Sequence, residues 1–294
     1  MTAARFACVQ LDVPGHLGLD DGRYLMRGDD HEQADAVVVV QTLGRAAASR
    51  RPRRRRPRPA EPGGDSPEVP LTRLTVIPAE PSEPEAAAGE LQRTAGDPEA
   101  AEARVTAGLR AVNAVLRAHR VATRDPYGHE IGREAVLVAR IGYGTGDGLA
   151  EGRWDEAVEV PQPGRRRRRA QALRPQERLA AVLAGREPID VCETLLLRAR
   201  ADLDQGRPRE AALQLRAGLQ ALLAELPGRA GEDQAEDLAA LRERLESTAE
   251  AADEALAGEL PAERVDEVAE TLGICERILR RRQILAEPRR GGRE

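Results

Sequence analysis

The chain has 294 residues, a formal net charge of −5, 41% hydrophobic residues and 2% aromatics. Its length admits one large domain or two ordinary ones. All 45 basic residues are arginine, which reads as the codon bias of a GC-rich genome. The only aromatics are Phe6, Tyr24, Tyr127, Tyr143 and Trp154, too few for modules that stack nucleic-acid bases on aromatic platforms.

Cys8, Cys192 and Cys275 are odd in number and widely spaced. They define no disulfide framework and no CxxC metal pair, so a reducing compartment and small buried thiols are expected. Met1 to Pro14 lacks the apolar core of a signal peptide. The β-branched run Val37–Val40 falls far short of the ~20 apolar residues of a membrane helix. The expectation is a cytoplasmic protein without membrane contact.

In chain order, Arg5–Val13, Arg23–Arg27 and Ala36–Leu43 read as three short strands separated by Gly, Pro and Asp. Their spacing of about ten residues suggests an antiparallel meander, with the valine run as the central strand. Residues 45–68 form an Arg/Pro-rich insertion, in which like charges and prolines predict disorder. Val69–Ile77 returns to strand character, with Pro70 suited to an edge or to the first pair.

Helices follow. Pro81–Arg93 is a weak one. Asp97-Pro98-Glu99 supplies an N-cap, a proline at the first helical position and an acid at the positive dipole end. Val105, Leu109, Val112 and Leu116 then recur at helical spacing, and Asp125-Pro126 closes the helix. Arg133–Ile141 fits either a helix or a buried strand, and Ala157–Val160 a short strand. Residues 161–174 read as an Arg-rich linker. Beyond it the spacing predicts five helices, opened by Pro175, by Ile189, by Pro208 after Gly206, near Glu232, and after Pro261. The last two alternate three- and four-residue apolar steps, as in a packed hairpin.

The features within 195–226 are Ala199 and Ala201, Gly206 at a turn, Arg209-Glu210-Ala211 opening a helix, then Leu215 and Leu219. Together they resemble a tetratricopeptide-type hairpin over about a tenth of the chain. That family uses small residues for close helix approach and stacks hairpins into a groove for peptides, so the resemblance implies a protein-binding helical array.

Two arginine tracts stand apart. Residues 45–58 carry +8 and 165–169 carry +5, so the remainder carries −5 − 13 = −18. Residues 232–270 alone carry 14 acids and 3 arginines, or −11. Candidate phosphate-contacting residues are therefore Arg50, Arg51, Arg53, Arg54, Arg55, Arg56 and Arg58, with Arg165, Arg166, Arg167, Arg168 and Arg169. The same tracts could instead fold back on acidic helices or serve as solvated linkers.

Gly142-Tyr143-Gly144-Thr145-Gly146-Asp147-Gly148 could form a backbone anion nest, with His129 in a neighbouring polar segment alongside Tyr127, Glu130 and Arg133. It lacks the GxGxxG pattern and any P-loop lysine, and reads equally as a glycine-rich turn. The four histidines have no metal spacing, and no nucleophile elbow occurs, so neither catalytic residues, metal nor cofactor is expected.

The sequence thus predicts an α+β chain. Residues 1–160 form a small antiparallel sheet with helices, 175–287 an all-α array and 288–294 a tail. The leading expectation is a non-enzymatic intracellular adaptor or scaffold, binding a protein or a second copy through its C-terminal helices. The alternatives are a nucleic-acid-associated factor using the tracts and a small-ligand or anion binder at Gly142–Gly148.

Overall fold

A computed structural model describes residues 4–27, 34–44, 70–162, 169–225 and 235–285, with backbone alone at 169–174, 235, 236 and 283–285. The fold is mixed α+β, and the chain divides into two compact units, Met1–Arg165 and Arg166–Glu294. No described helix is long and apolar enough to cross a membrane.

The first unit contains β1 (Phe6–Pro14), β2 (Gly22–Arg27), β3 (Ala34–Leu43), β4 (Leu71–Pro78), α1 (Pro84–Gly96) and α2 (Pro98–Thr123). It continues with β5 (Val138–Gly144), α3 (Gly146–Ala150) and β6 (Glu156–Val160). The strands make one sheet of order β2-β3-β4-β1-β5-β6, and every pairing is antiparallel. The expected meander of the first three strands is therefore corrected: β2, β3 and β4 form it, and β1 lies between β4 and β5. The reason is burial. Cys8 through Val13 are buried on both faces, and such a strand belongs in the interior of a sheet rather than at its rim. The valine run lies in β3, next to the edge strand, with Val38 and Val40 in the main core and Val39 on the opposite face. Pro70 precedes the first β4 pair and lends its carbonyl to Gly15 N–H at 2.7 Å.

α2 begins as its cap predicts: the Asp97 side chain accepts from Glu99 N–H and Ala100 N–H. Val105, Leu109, Val112 and Leu116 all face the sheet core with Val9, Leu11 and Leu74. The helix lies so close to β1 that a Cβ on Gly108 would sit 2.7 Å from Val9 Cγ1. Arg124, at φ 55°, ends it. Buried Asn113 then fastens the following segment, donating to Ile131 O at 3.0 Å and accepting from Ile131 N–H at 2.9 Å. The ambiguous stretch 133–141 is a 3₁₀ turn at Arg133–Ala135 followed by β5.

The second unit contains α4 (Arg169–Leu183), α5 (Val191–Asp204), α6 (Pro208–Glu225), α7 (Ala235–Glu243), α8 (Leu245–Ala257) and α9 (Ala262–Leu285). Two expectations are corrected. Pro175 lies inside α4 instead of opening it, because Ala170, Gln171, Ala172 and Leu173 upstream are good helix formers. The helix expected from Glu232 breaks at Arg244 into α7 and α8, giving six helices among the described residues where five were expected. The break frees the small-residue face of α8 (Ala251, Ala252, Ala255) to close on α6. α5 and α6 form the tightest hairpin. A Cβ on Gly218 would lie 2.9 Å from Leu196 Cδ2, and Gly206 turns between the helices at φ 71°. Acids on this unit are matched by arginines: Arg264 with Glu254 and Glu267, Arg216 with Asp253, and Arg200 with Glu276.

Candidate functional site

On the sheet face turned away from α1 and α2, strand alternation lines up polar side chains from three central strands: Gln10 and Asp12 of β1, Arg73 and Thr75 of β4, and Arg140 of β5. Asp12 is 5% exposed. Its Oδ1 accepts from Arg73 Nε at 2.8 Å, and its Oδ2 accepts from Arg73 Nη2 at 3.0 Å and Arg140 Nη1 at 3.1 Å. Gln10 donates to Thr75 Oγ1 at 3.1 Å, and Glu159 lies 3.8 Å from Arg140. Burial pushes the Asp12 carboxyl up, but the hydrogen bonds and charges of Arg73 and then Arg140 outweigh it and hold the group below its ordinary value. Asp12 also raises the Arg73 guanidinium through their hydrogen bond.

The chain folds over this cluster. Gly152, at φ 77°, passes so close that a Cβ there would lie 3.6 Å from Arg73 Nη1 and 3.9 Å from Gln10 Nε2. Leu149, Ala150 and Trp154 pack beside it on Cys8, Val39 and Ile77. Two guanidiniums on one carboxylate, with a second acid alongside, make a charge-matched clamp across β4, β1 and β5. A carboxylate with both oxygens engaged and its ionised form favoured is poorly suited to proton transfer near neutral pH.

No motif in the sequence marks this cluster. Its signal was Asp12 in the apolar run Phe6–Val13 and Arg73 in the apolar run 71–77, each an ionisable residue inside a buried strand.

The glycine-rich segment spans several elements. Gly142 and Gly144 belong to β5, and their missing side chains serve packing. A Cβ on Gly142 would lie 2.6 Å from Glu156 O and 2.8 Å from Ala157 Cβ, and one on Gly144 3.2 Å from Leu149 Cδ2. Thr145 caps α3 by accepting from Gly148 N–H at 3.3 Å, and Gly146 opens that short helix. Asp147 is 93% exposed on its side chain, with Arg23 at 3.9 Å. Tyr143 O–H donates to Glu156 at 3.3 Å. A recess of about 20 Å³, room for a single water, lies among Ala7, Leu91, Arg104 and Tyr143, and Arg104 pairs with Glu90 across it at 2.8 Å.

His129 and Tyr127 are exposed, on the connection leading from α2 into β5. Gly128, next to His129, lies against Arg120, whereas Arg104 lines a recess with Gly142 and Tyr143, and the 16 residues of α2 between those two arginines span ~24 Å. The two halves of the expected polar site are therefore held apart. Arg133 turns instead to Glu102, at 2.9 and 3.3 Å. Arg50, Arg51, Arg53, Arg54, Arg55, Arg56, Arg58 and Arg165–Arg168 lie outside the described residues, as does the side chain of Arg169 at the start of α4.

In the helical unit, Ala199, Ala211, Leu215 and Leu219 of the repeat-like segment are buried in the α5–α6 contact, while Ala201 is exposed. Glu225 at the end of α6 closes the hairpin, accepting from Val191 N–H at 3.1 Å and Cys192 N–H at 3.2 Å. Burial pushes Cys8, Cys192 and Cys275 up to about 12, Cys192 with help from Glu225. All three are thus poor nucleophiles at neutral pH. Among the described residues no group of three or more His, Cys, Asp or Glu is placed to hold a metal. No family model matches the chain, and neither do the curated proteins or the solved structures.

Proposed function

We propose that this chain is a non-enzymatic intracellular interaction protein, an adaptor or scaffold. In this reading its N-terminal sheet domain and its C-terminal helical array are separate functional parts, and the array carries the contact. One observation carries the reading. Leu179 and Leu183 of α4, Ile189 in the connection after it, and Val191 and Leu197 in the first half of α5 are each half or more exposed. Leu179 and Leu183 stand one turn apart on α4 and share a face, and exposed large apolar side chains gathered in so short a stretch of chain support a contact with another protein. The repeat-like α5–α6 hairpin beside it is the kind of element that presents such faces, and three unpaired buried cysteines fit a reducing compartment.

The test is an affinity capture with the full chain and with Leu183→Asp/Leu197→Asp, each checked for an unchanged melting temperature. The expected result is a defined partner retained by the parent and lost by the variant. A partner held equally by both removes the α4–α5 face from the proposal, and a parent that captures no partner removes the adaptor reading. A second reading rests on charge segregation, +13 in two tracts against −18 elsewhere. It assigns the tracts to a phosphate backbone and requires RNA or DNA binding that weakens steeply with salt.

A further inference from the structure

α9 is two-faced in a way its packing does not explain. Val268, Leu272 and Cys275 are buried against the rest of the helical unit. On the opposite side, at alternating steps of three and four residues, stand Glu263, Asp266, Glu270, Gly273, Arg277 and Arg280, which a period of 3.6 places on one face. The five charged residues are exposed. The charges are sorted: acids in the first half, arginines in the second, and glycine between them.

Glu263, Asp266, Arg277 and Arg280 form no ion pair within the described residues, whereas Glu270 pairs with Arg244 at 2.9 Å. The helix dipole favours acids in the first turn and arginines in the last, but its effect fades beyond those turns. Glu270 and Arg277 lie about two turns inside the helix ends, so the dipole does not sort them. Gly273 is equally unexplained by the fold. Gly218 and Gly108 are required by Leu196 and Val9, but a Cβ on Gly273 would meet only Arg277 Nη1, at 3.6 Å. A glycine inside a helix weakens it by about 1 kcal/mol relative to alanine.

Both facts have one explanation in a second helix laid antiparallel across the first at Gly273. About that point Asp266 and Arg280 are seven residues to either side, and Glu270 and Arg277 three and four. A two-fold axis at Gly273 therefore sets Asp266 against Arg280 and Glu270 against Arg277 of another copy, twice over, and the bare glycine lets the two backbones approach. The pattern is self-complementary, as a two-fold interface requires. We propose that α9 is a homodimerisation helix, pairing antiparallel with α9 of a second copy of this chain through that charge-sorted face. The surface is distinct from the α4–α5 apolar face, and either can fail without the other. Because the contact is small and polar, it is weak and salt-sensitive.

The experiment is sedimentation equilibrium on the full chain from micromolar to hundreds of micromolar, at low and high salt. The parent is expected to approach twice its 31.9 kDa mass at low salt and to dissociate at high salt. Asp266→Arg/Glu270→Arg and Arg277→Glu/Arg280→Glu each set like charges face to face, and each should weaken dimerisation roughly tenfold or more. Mixed together, the two variants restore opposite charges at every pair and should form the heterodimer, a result that a merely misfolded variant cannot give. A parent that stays monomeric at every concentration overturns the proposal, as does a dimer whose affinity survives both swaps. In the second case self-association through another face remains open. In the first it ends, and an adaptor role toward other proteins is judged by the capture experiment alone.

Discussion

Replacing Asp12 by alanine tests whether the β4–β1–β5 clamp is structural. The carboxylate is 5% exposed and takes three hydrogen bonds from Arg73 and Arg140. Removing it leaves two guanidiniums, each about a quarter exposed, facing one another on the same sheet face, with only the more exposed Glu159 at 3.8 Å from Arg140 as a remaining counter-charge. Orphaning one partner of a fully buried pair costs about 3–5 kcal/mol, and the partial exposure of both arginines reduces this to about 2–3 kcal/mol. Arg73→Met should cost less, because Asp12 keeps Arg140. Asp12→Leu combined with Arg73→Met and Arg140→Met should recover much of the loss, since no buried charge is left stranded and Glu159 is exposed.

Urea unfolding followed by Trp154 fluorescence reads this directly. Trp154 is the only tryptophan and packs on the same sheet face, so the signal reports the first unit alone. The sign with pH is fixed as well. A carboxyl held below its ordinary value in the folded state contributes stability above its unfolded pKa and loses it as pH falls through the lower, folded value. The stability difference between the parent and Asp12→Asn should therefore shrink with acidification below the ordinary aspartate range. A loss under about 0.5 kcal/mol for Asp12→Ala, the level of an ordinary surface change, would refute the clamp.

Gly218→Val should destabilise the helical unit by about 1–3 kcal/mol, because its Cβ would meet Leu196, itself buried, at 2.9 Å. Circular-dichroism melting reads the change, and an unchanged melt would mean that α5 and α6 can separate freely. Glu225→Ala should remove the cap on α5 and lower stability by about 1 kcal/mol in the same melt, with Glu225→Gln retaining part of it. In a thiol-titration assay at mild alkaline pH, Cys8, Cys192 and Cys275 should stay unreacted until the chain is unfolded. A cysteine that reacts in the native protein at the rate of a free thiol would contradict its burial.

Much of the local structure was legible in the residues. Asp97-Pro98-Glu99 marked the start of α2 to the residue, and the Val105–Leu116 stripe marked its buried face, because caps and periodicity act within one or two turns. Gly206 and Pro208 likewise announced the α5–α6 turn. Where local signals conflicted they misled. Pro175 read as a start because proline favours first turns, yet the residues before it sustained the helix. The glycines of 142–148 read as a loop because glycine is common in turns. Only the neighbourhood of Trp154, Glu156 and Ala157 shows that two of them are strand residues kept bare for packing.

The all-arginine basic complement, the scarcity of aromatics, the helical second half and the segregation of positive charge into two tracts follow from the sequence alone. The tertiary structure decided that β1 lies inside the sheet, that Asp12 meets Arg73 across 61 positions of chain, and that α9 turns a charge-sorted face outward. The division is physical. Propensity and capping are set by residues a few positions apart, whereas strand order and charge pairing depend on which surfaces are buried together, and no local pattern encodes that.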